Sequence, residues 1–278
     1  MMPRYQIACH TRAWKPEQWK ESLDEIAGLG FAGVEGVSAL FEKFADKTEL
    51  AKKHLHDRHL KLAALAVSGV FTIPGRREEM LHQHSALARF LQKLGTHHLL
   101  VTLESREINE SLSHDFKAAA ALLDELGKRC LDFFDVYLCV LPQRGSRIET
   151  GDEIDRLMNL VDLEAVFLGL DTGQFVLMEE EPAKILKTYG ECVRHLHFSD
   201  PVTNEKEEKA GPAGAYPEYG ALGEGRMNFA EIKDILEVLD YHGWITAVFD
   251  TSHEPPRETA ERSKRFLDHL FGTGEQAL

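Results

Sequence analysis

Short apolar runs alternate with amphipathic segments along the whole chain. The runs are too short for helices and are rich in residues that favour strands, whereas the segments between them repeat apolar positions at helical spacing. The predicted strands are 5–9, 31–34, 61–67, 98–103, 136–141, 166–170, 193–197 and 245–249. Eight strand-then-helix units without a break in composition predict one α/β domain over residues 1–278, a closed (β/α)₈ TIM barrel.

The predicted helices have recognisable first turns. Thr150 and Glu153 form a capping box, Asn228 can cap a helix that reaches Leu239, and Ser113 opens a helix that runs to about Cys130. The other predicted helices are 15–29, 50–59, 76–94, about 181–189, and 257–270. A doubly wound open sheet is the alternative, but residues 9–12 lack the Gly-rich phosphate turn that it would place after its first strand.

Two polar stretches interrupt this rhythm. Residues 201–226 are rich in Gly, Pro, Lys and Glu and form a long loop before the last strand–helix unit. A loop of this length in a compact domain is usually functional, so it is expected to be a lid or an interface arm. The tail, residues 272–278, is expected to be frayed.

Composition narrows the classes of partner. The formal net charge is −14 and no basic stripe is present, which argues against a nucleic-acid partner. No run of apolar residues is long enough for a signal peptide or a membrane span. The four cysteines show no CxxC spacing and are expected to be buried free thiols, so we expect a cytoplasmic protein without a membrane partner.

Polar side chains stand where the predicted strands end, and in a barrel these positions converge on one mouth. They are His10, Glu35, Glu104, Gln143, Asp171, His197 and Asp250. Carboxylates and imidazoles suit a divalent metal ion that keeps one position open. Asp171 and His197 form the best pair because they end strongly apolar strands of adjacent units, although a lone Asp there is often a helix cap and either His195 or His197 could be a core histidine.

Residues 136–250 resemble the sugar phosphate isomerase/epimerase group of the xylose-isomerase-like barrels, which includes inosose dehydratase and is related to endonuclease IV. The segment 30–35, Gly-Phe-Ala-Gly-Val-Glu, is similar to the second strand of this family. The matching blocks in the second half are 147–150, 170–173, 197–200, 222–225 and 243–245.

The resemblance implies a metal site at the mouth, made by a Glu of strand five, an Asp of strand six, a His of strand seven and a Glu of strand eight. Asp171 and His197 match this pattern, and the resemblance implies that they bind Mn, Zn, Co or Mg. Leu141 and Val248 stand at the two glutamate positions and can neither ligate a metal nor move a proton. Gln174 and Ser199 replace a His and a Lys that the family often carries.

Other side chains are candidates to restore the catalytic set. A shifted site of Glu104, Asp171, His197 and Asp250 is one hypothesis, since Asp250 lies two residues beyond Val248 and would point to the same side of the strand. In the alternative, Glu104 and Asp250 are solvated or paired with Arg106 and Arg257. The candidate substrate contacts are His10, Trp14, Glu35, Gln143, Gln174 and Arg226. Trp14 could equally pack against the first helix.

Three functions remain in view. The first is an isomerase, epimerase or dehydratase that moves a proton next to the carbonyl of a small sugar, polyol or keto acid, with a variant metal site. The second is a barrel that has lost catalysis and binds a small molecule. The third, cleavage of abasic DNA, is disfavoured by the charge and by the thin ligand set. Barrels of this family are often dimers or tetramers, so a homodimer or tetramer is expected.

Overall fold

The computed structural model describes residues 5–106, 115–202, 218–250 and 254–272. Its strands are β1 (Gln6–His10), β2 (Gly33–Val37), β3 (Lys61–Gly69), β4 (His98–Leu103), β5 (Tyr137–Val140), β6 (Val166–Asp171), β7 (Val193–Phe198), β8 (Pro201–Val202), β9 (Glu218–Tyr219) and β10 (Trp244–Ala247). Eight of them are parallel and close into a barrel in the order β1, β10, β7, β6, β5, β4, β3, β2, whereas β8 and β9 pair with each other antiparallel.

The helices form the outer layer. They are α1 (Trp19–Gly28), α2 (Ser38–Phe44), α3 (Thr48–His56), α4 (Arg77–Leu94), α5 (Phe116–Phe134), α6 (Gly151–Met158), α7 (Thr172–Leu177), α8 (Pro182–Tyr189), α9 (Phe229–Val238) and α10 (Pro256–Phe271). Each amphipathic helix turns its apolar face to the strands, as Leu23 and Ile26 of α1 show by being fully buried. No helix in the described ranges is long and apolar enough to cross a membrane.

The predicted (β/α)₈ barrel is confirmed, and so are two of its caps. The side chain of Thr150 accepts from Glu153 N, and that of Asn228 accepts from Glu231 N. The start of α5 differs from the prediction, because the cap is Asp115, which accepts from the backbone of the first helical turn, and Ser113 lies outside the described residues. Two short helices, α2 and α7, were not predicted. They have 7 and 6 residues, which is too short to show a clear helical repeat of apolar positions.

The second strand is shifted relative to the prediction. The expectation was a strand over 31–34 that ends at Glu35, but β2 is Gly33–Val37 and Glu35 lies at its centre. The register of β2 against β3 shifts between Val34 and Glu35. Glu35 is therefore part of the barrel wall, opposite His10 of β1, rather than at the loop that follows the strand.

The two polar stretches are only partly described. The long loop over 201–226 begins with β8, includes β9 at Glu218–Tyr219 and continues to residue 226, and residues 203–217 lie outside the described part of the chain. In the predicted frayed tail, Gly272 closes α10 with a left-handed backbone, and residues 273–278 are outside the described ranges.

Close packing between the helical layer and the barrel makes a testable prediction at a helical glycine. A Cβ at Gly127 of α5 would overlap the carbonyl oxygen of Ala165, which is backbone and cannot move aside. We expect Gly127→Ala to lower the free energy of unfolding by roughly 1–3 kcal/mol despite the better helix propensity of alanine. Urea unfolding measures this change.

Gly28, the last residue of α1, is the matched control. A Cβ at Gly28 would have no atom within 4 Å, so Gly28→Ala should leave stability unchanged or raise it by up to about 1 kcal/mol. Equal effects of the two substitutions would contradict this account of the packing.

Candidate active site

Glu35 is the centre of a cluster of polar side chains inside the barrel. Its side chain is fully buried, and a buried carboxylate is stable only with close partners. His195 Nε2 lies 2.8 Å from Glu35 Oε2, and His197 Nε2 lies 2.8 Å from Glu35 Oε1. His10 Nε2 is 3.5 Å from the same Oε1. Imidazoles from β1 and β7 therefore enclose this carboxylate of β2.

His197 lies between two carboxylates. Its Nε2 contacts Glu35, and its Nδ1 lies 3.4 Å from Asp171 Oδ2. The β6–β7 register places Asp171 directly beside His197. Burial alone would lower the pKa of His197, but the charges of Glu35 and Asp171 and their hydrogen bonds raise it to about 10. Without a metal, this imidazole is positively charged at neutral pH.

Burial would raise the pKa of Glu35, but the positive charge of His197 and the hydrogen bonds of His195 and His197 hold it well below its usual value. The pKa of Asp171 is likewise lowered, because its bonds to His197 and Ser199 outweigh burial. Two buried carboxylates and one imidazolium therefore face one another.

Asp171 is both a helix cap and part of the cluster. It ends β6, and its Oδ1 accepts from Gln174 N at 3.1 Å and from the hydroxyl of Ser199. Ser199 Oγ in turn accepts from Gly173 N at 2.8 Å. A Cβ at position 173 would lie 2.5 Å from Ser199 Oγ and 2.7 Å from Tyr219 Cε1, so this turn requires glycine. These bonds fix the direction of the Asp171 carboxylate.

Burial disfavours the charged form of the two other histidines. His10 Nδ1 accepts from Arg12 N at 3.0 Å, so the ring proton of His10 is on the Nε2 that faces Glu35. Burial lowers the pKa of His10 to about 3. Burial also lowers the pKa of His195, whose Nε2 is 3.0 Å from the hydroxyl of Thr246.

This donor set allows two positions for a divalent ion. Ligand atoms of Glu35, His195 and His197 all lie within 4.8 Å of one another, which fits two imidazoles and one carboxylate. Asp171 Oδ2 and His197 Nδ1 form the second group, which has two donors within the described ranges. The two usual glutamate positions add nothing, because Leu141 and Val248 are both buried apolar side chains.

Glu104 and Asp250 are engaged elsewhere, so the four-residue shifted site is not assembled. Glu104 accepts from Phe71 N at 2.9 Å, from Thr72 N at 3.2 Å and from the Thr72 hydroxyl. Asp250 lies beyond the end of β10, where it accepts from Tyr219 N at 3.2 Å and pairs with Arg12 at 3.2 Å.

The alternative pairings also differ from the prediction. Arg106 binds Glu149 at 2.8 Å and also Glu153. Asp250 takes Arg12 as its cation, where the sequence suggested Arg257.

The remaining candidate substrate contacts lie outside the cluster. Trp14 is buried against α1, where its indole N–H donates to Glu25 Oε2 at 2.8 Å. Gln174 Oε1 accepts from Arg144 N at 3.0 Å. Gln143 lines a cavity of about 580 Å³ with Glu104 at the ends of β3, β4 and β5. Arg226 is exposed.

His195 was not among the sequence candidates, although a signal for it was present. It lies two residues before His197 on the same strand, so both side chains point to the same side of β7. Tyr219, whose ring packs on Gly173, follows a segment without clear periodicity and gave no comparable signal.

Comparison with known proteins places the chain in a family. A family model described as xylose isomerase-like TIM barrel matches residues 23–270. The inosose dehydratase of Clostridium botulinum (strain Alaska E43 / Type E3) is 28% identical over 276 residues, covering 91% of this chain and 90% of that protein. The D-allulose 3-epimerase of Methylomonas sp. superposes with a TM-score of 0.75 at 18% identity, covering 96% and 98% of the two chains.

A further solved structure has the same fold. The probable 3-DHS dehydratase AsbF from Bacillus anthracis superposes with a TM-score of 0.75 at 14% identity, covering 98% of this chain and 100% of that one. At these identities the structural similarity concerns the fold alone.

The charged pair of Glu35 and His197 predicts a pH-dependent stability for the chelator-treated protein. In the folded protein the pKa of His197 is raised from 6.5 to about 10. The contribution of its charge to the free energy of unfolding is therefore fully present below about pH 6.5 and is lost as the pH rises through about 10. We expect Glu35→Gln to cost roughly 3–5 kcal/mol at pH 7, as for the loss of one partner of a buried ion pair. This cost should shrink towards pH 10, as measured by urea unfolding.

Glu25→Gln is the matched control, since the indole of Trp14 that donates to Glu25 does not titrate. The loss in the free energy of unfolding caused by Glu25→Gln should be the same at pH 7 and at pH 10. A Glu35→Gln cost that is equally constant between pH 7 and pH 10 would show that His197 is not charged in the folded protein.

Proposed function

Because the chain belongs to the xylose isomerase-like TIM barrel family, we propose that it is an enzyme that moves a proton next to the carbonyl of a small sugar or polyol derivative. The observation that carries the proposal is the buried imidazole of His197, held between the carboxylates of Glu35 and Asp171 at the C-terminal end of the barrel. Catalytic groups of such barrels lie at this end. Perturbed titratable groups in a cluster are also typical of active sites.

The cation in this proposal is a divalent metal bound through Asp171 Oδ2 and His197 Nδ1, as the family pattern implies. In this arrangement Glu35 accepts the proton of His197 Nε2, which fixes the ring and leaves Nδ1 free for the ion. Among the described residues, Asp171 and His197 are the side chains that would hold this ion, and so small a set of protein ligands would suit Mg²⁺, which usually keeps several water ligands. When bound, it polarises the substrate carbonyl.

The buried group of Glu35, His195 and His197 is the less suitable place for a catalytic ion. Glu35 and His195 are fully buried and are already hydrogen-bonded to each other at 2.8 Å. An ion bound here would have to displace this hydrogen bond between Glu35 and His195. Metal analysis of His195→Asn separates the two positions, since only the buried one uses His195.

Among the reactions of this class, dehydration fits the residues better than epimerisation. Epimerisation by two bases needs a proton-transfer group on each face of the reacting carbon. Leu141 and Val248 occupy the positions from which the family supplies its two glutamates. Dehydration removes one proton next to the carbonyl and expels hydroxide, which leaves as water after protonation, and groups on one face can do both.

The relatives support this choice. The curated relatives that cover nine-tenths of the chain are named inosose dehydratase, so a cyclic keto-polyol is the first substrate to test. Glu104 and Asp250 are bound to residues outside the cluster, Thr72 and Arg12. The described side chains that can transfer the proton are therefore the titratable groups of the cluster: His10, Glu35, Asp171 and His197. A cytoplasmic location and a homodimer or tetramer complete the proposal.

A barrel that only binds its ligand is the second candidate function. It is favoured by one observation, the apolar packing at the glutamate positions, where a Leu141 methyl group lies next to Gly169 in the barrel interior. Saturable binding of a keto-polyol without turnover, with and without added Mg²⁺, Mn²⁺, Co²⁺ or Zn²⁺, would establish this alternative.

The proposed site predicts the effect of two substitutions. We expect His197→Ala and Asp171→Asn each to lower kcat/KM for dehydration of an inosose by about 10²–10⁴-fold, because each removes both a ligand and part of the proton-transfer set. Chelation of the wild-type protein should abolish turnover, and Mg²⁺ or Mn²⁺ should restore it. A coupled spectroscopic assay of the enone product measures the rates.

His97→Ala is the control, because His97 is an exposed histidine just before β4. Its turnover should equal that of the wild-type protein. Full activity of His197→Ala, or turnover unchanged by chelation, would overturn the proposal. Metal content retained in His195→Asn but lost in Asp171→Asn would support the position at Asp171.

A further inference from the structure

A separate cavity of about 210 Å³ lies beside the mouth, between the segments that follow β1 and β2. Its walls include Trp14, Trp19 and Leu40, and its rim carries Arg12, Lys15 and Lys43. None of the four histidine and carboxylate side chains assigned to proton transfer lines it, and neither does His195. We propose that this cavity binds a small cyclic carboxylate, a single six-membered ring with one carboxylate group, and we call it the tryptophan cavity.

The size and the walls suit one ring. An engineered apolar cavity of about 150 Å³ accommodates benzene, so about 210 Å³ leaves room for a ring and a small substituent. Trp14 and Trp19 are 5% and 7% exposed, so their faces are held in the protein. The ring of Trp14 is fixed by its bond to Glu25 and by an edge contact with Phe249 at 6.0 Å. Rigid aromatic walls bind a flat or chair-shaped ring at little entropic cost.

One residue that lines the cavity has a buried donor without an acceptor in the described part of the chain. Trp19 Nε1 is buried and has no hydrogen-bond partner among these residues. A buried N–H without a partner lowers the stability of the fold by about 1–3 kcal/mol, so such groups in a folded protein usually donate to a water molecule or a ligand. A ligand oxygen that accepts this N–H would remove the penalty. The unpaired donor therefore favours a ligand that carries an acceptor oxygen.

The positive charges at the rim of the tryptophan cavity favour an anionic ligand. The chain as a whole has a net charge of −14, yet the described residues that line the tryptophan cavity include three cations and no carboxylate. Arg12 is partly neutralised by Asp250 at 3.2 Å. Lys43 Nζ donates to Pro16 O at 3.4 Å and lies 5.8 Å from the centre of the Phe44 ring, and both partners are uncharged. One uncompensated positive region above an apolar ring site selects a monocarboxylate over a neutral ring.

Intrinsic fluorescence tests the proposal directly, because two of the three tryptophans of the chain line the tryptophan cavity. The third, Trp244, begins β10 at the opposite end of the barrel. Titration of the 278-residue chain with benzoate or cyclohexanecarboxylate should give a saturable fluorescence change. Benzamide and inorganic phosphate should bind at least tenfold more weakly. Equal affinity for either would overturn the assignment of a ring with a carboxylate.

Lysine variants test the rim. Lys43→Ala should weaken benzoate binding by about five- to tenfold, whereas Lys47→Ala, an exposed lysine one turn further on that does not line the cavity, should leave it unchanged. Equal effects of the two substitutions, or no saturable change with either carboxylate, would overturn the proposal.

Trp19→Phe tests the buried donor, with calorimetry as the measurement because the variant also loses fluorescence. Without a ligand, the indole N–H has no partner among the described residues, so Trp19→Phe should lose only the stability that comes from the smaller buried ring. Its affinity for benzoate should fall several-fold. Unchanged affinity would contradict the role of this donor. His197→Ala should bind benzoate as the wild-type protein does, which separates this result from the fate of the proposed catalytic site.

Discussion

The buried carboxylate of Glu35 is the constraint on which the polar interior of the barrel depends. A negative charge with no exposure must be matched by nearby donors, and here His10, His195 and His197 supply them from two other strands. The match orients His197, whose second nitrogen then lies 3.4 Å from Asp171. One carboxylate on β2 thus positions the pair on β6 and β7.

This arrangement explains how the barrel keeps a polar site while two of its usual positions are apolar. Leu141 and Val248 extend the hydrophobic packing of the interior to the ends of β5 and β10. The polar groups of the cluster come instead from β1, β2, β6 and β7. A site built in this way has fewer groups for moving protons than one with two glutamates, which is why a one-face reaction suits it better.

The parts of the site that the sequence could predict are those set by local pattern. Asp171 and His197 each end an apolar strand, and adjacent parallel strands bring such ends together. Glu35 was assigned to the end of its strand because the apolar run stops there, but the strand continues to Val37 and the register shifts at Glu35 itself. Its bonds to β7 cross the barrel interior, and sequence periodicity carries no information on which residues meet across it.

The same limit applies to Glu104, Asp250 and Trp14. The sequence placed these three residues near strand ends, as the structure does. Their partners are Thr72, Arg12 and Glu25 respectively, which lie on other segments of the chain. A carboxylate at a strand end can turn towards the mouth or towards a neighbouring loop, and the choice depends on which donor is closer. Only the folded geometry decides this.

The segment after β1 connects the cluster and the tryptophan cavity. Thr11 Oγ1 donates to the backbone oxygen of Glu35 at 2.8 Å, and Arg12 N donates to His10 Nδ1. Thr11 and Arg12 also line the tryptophan cavity. A ligand in that cavity would therefore rest against the residues that hold His10 and the backbone of β2 in place.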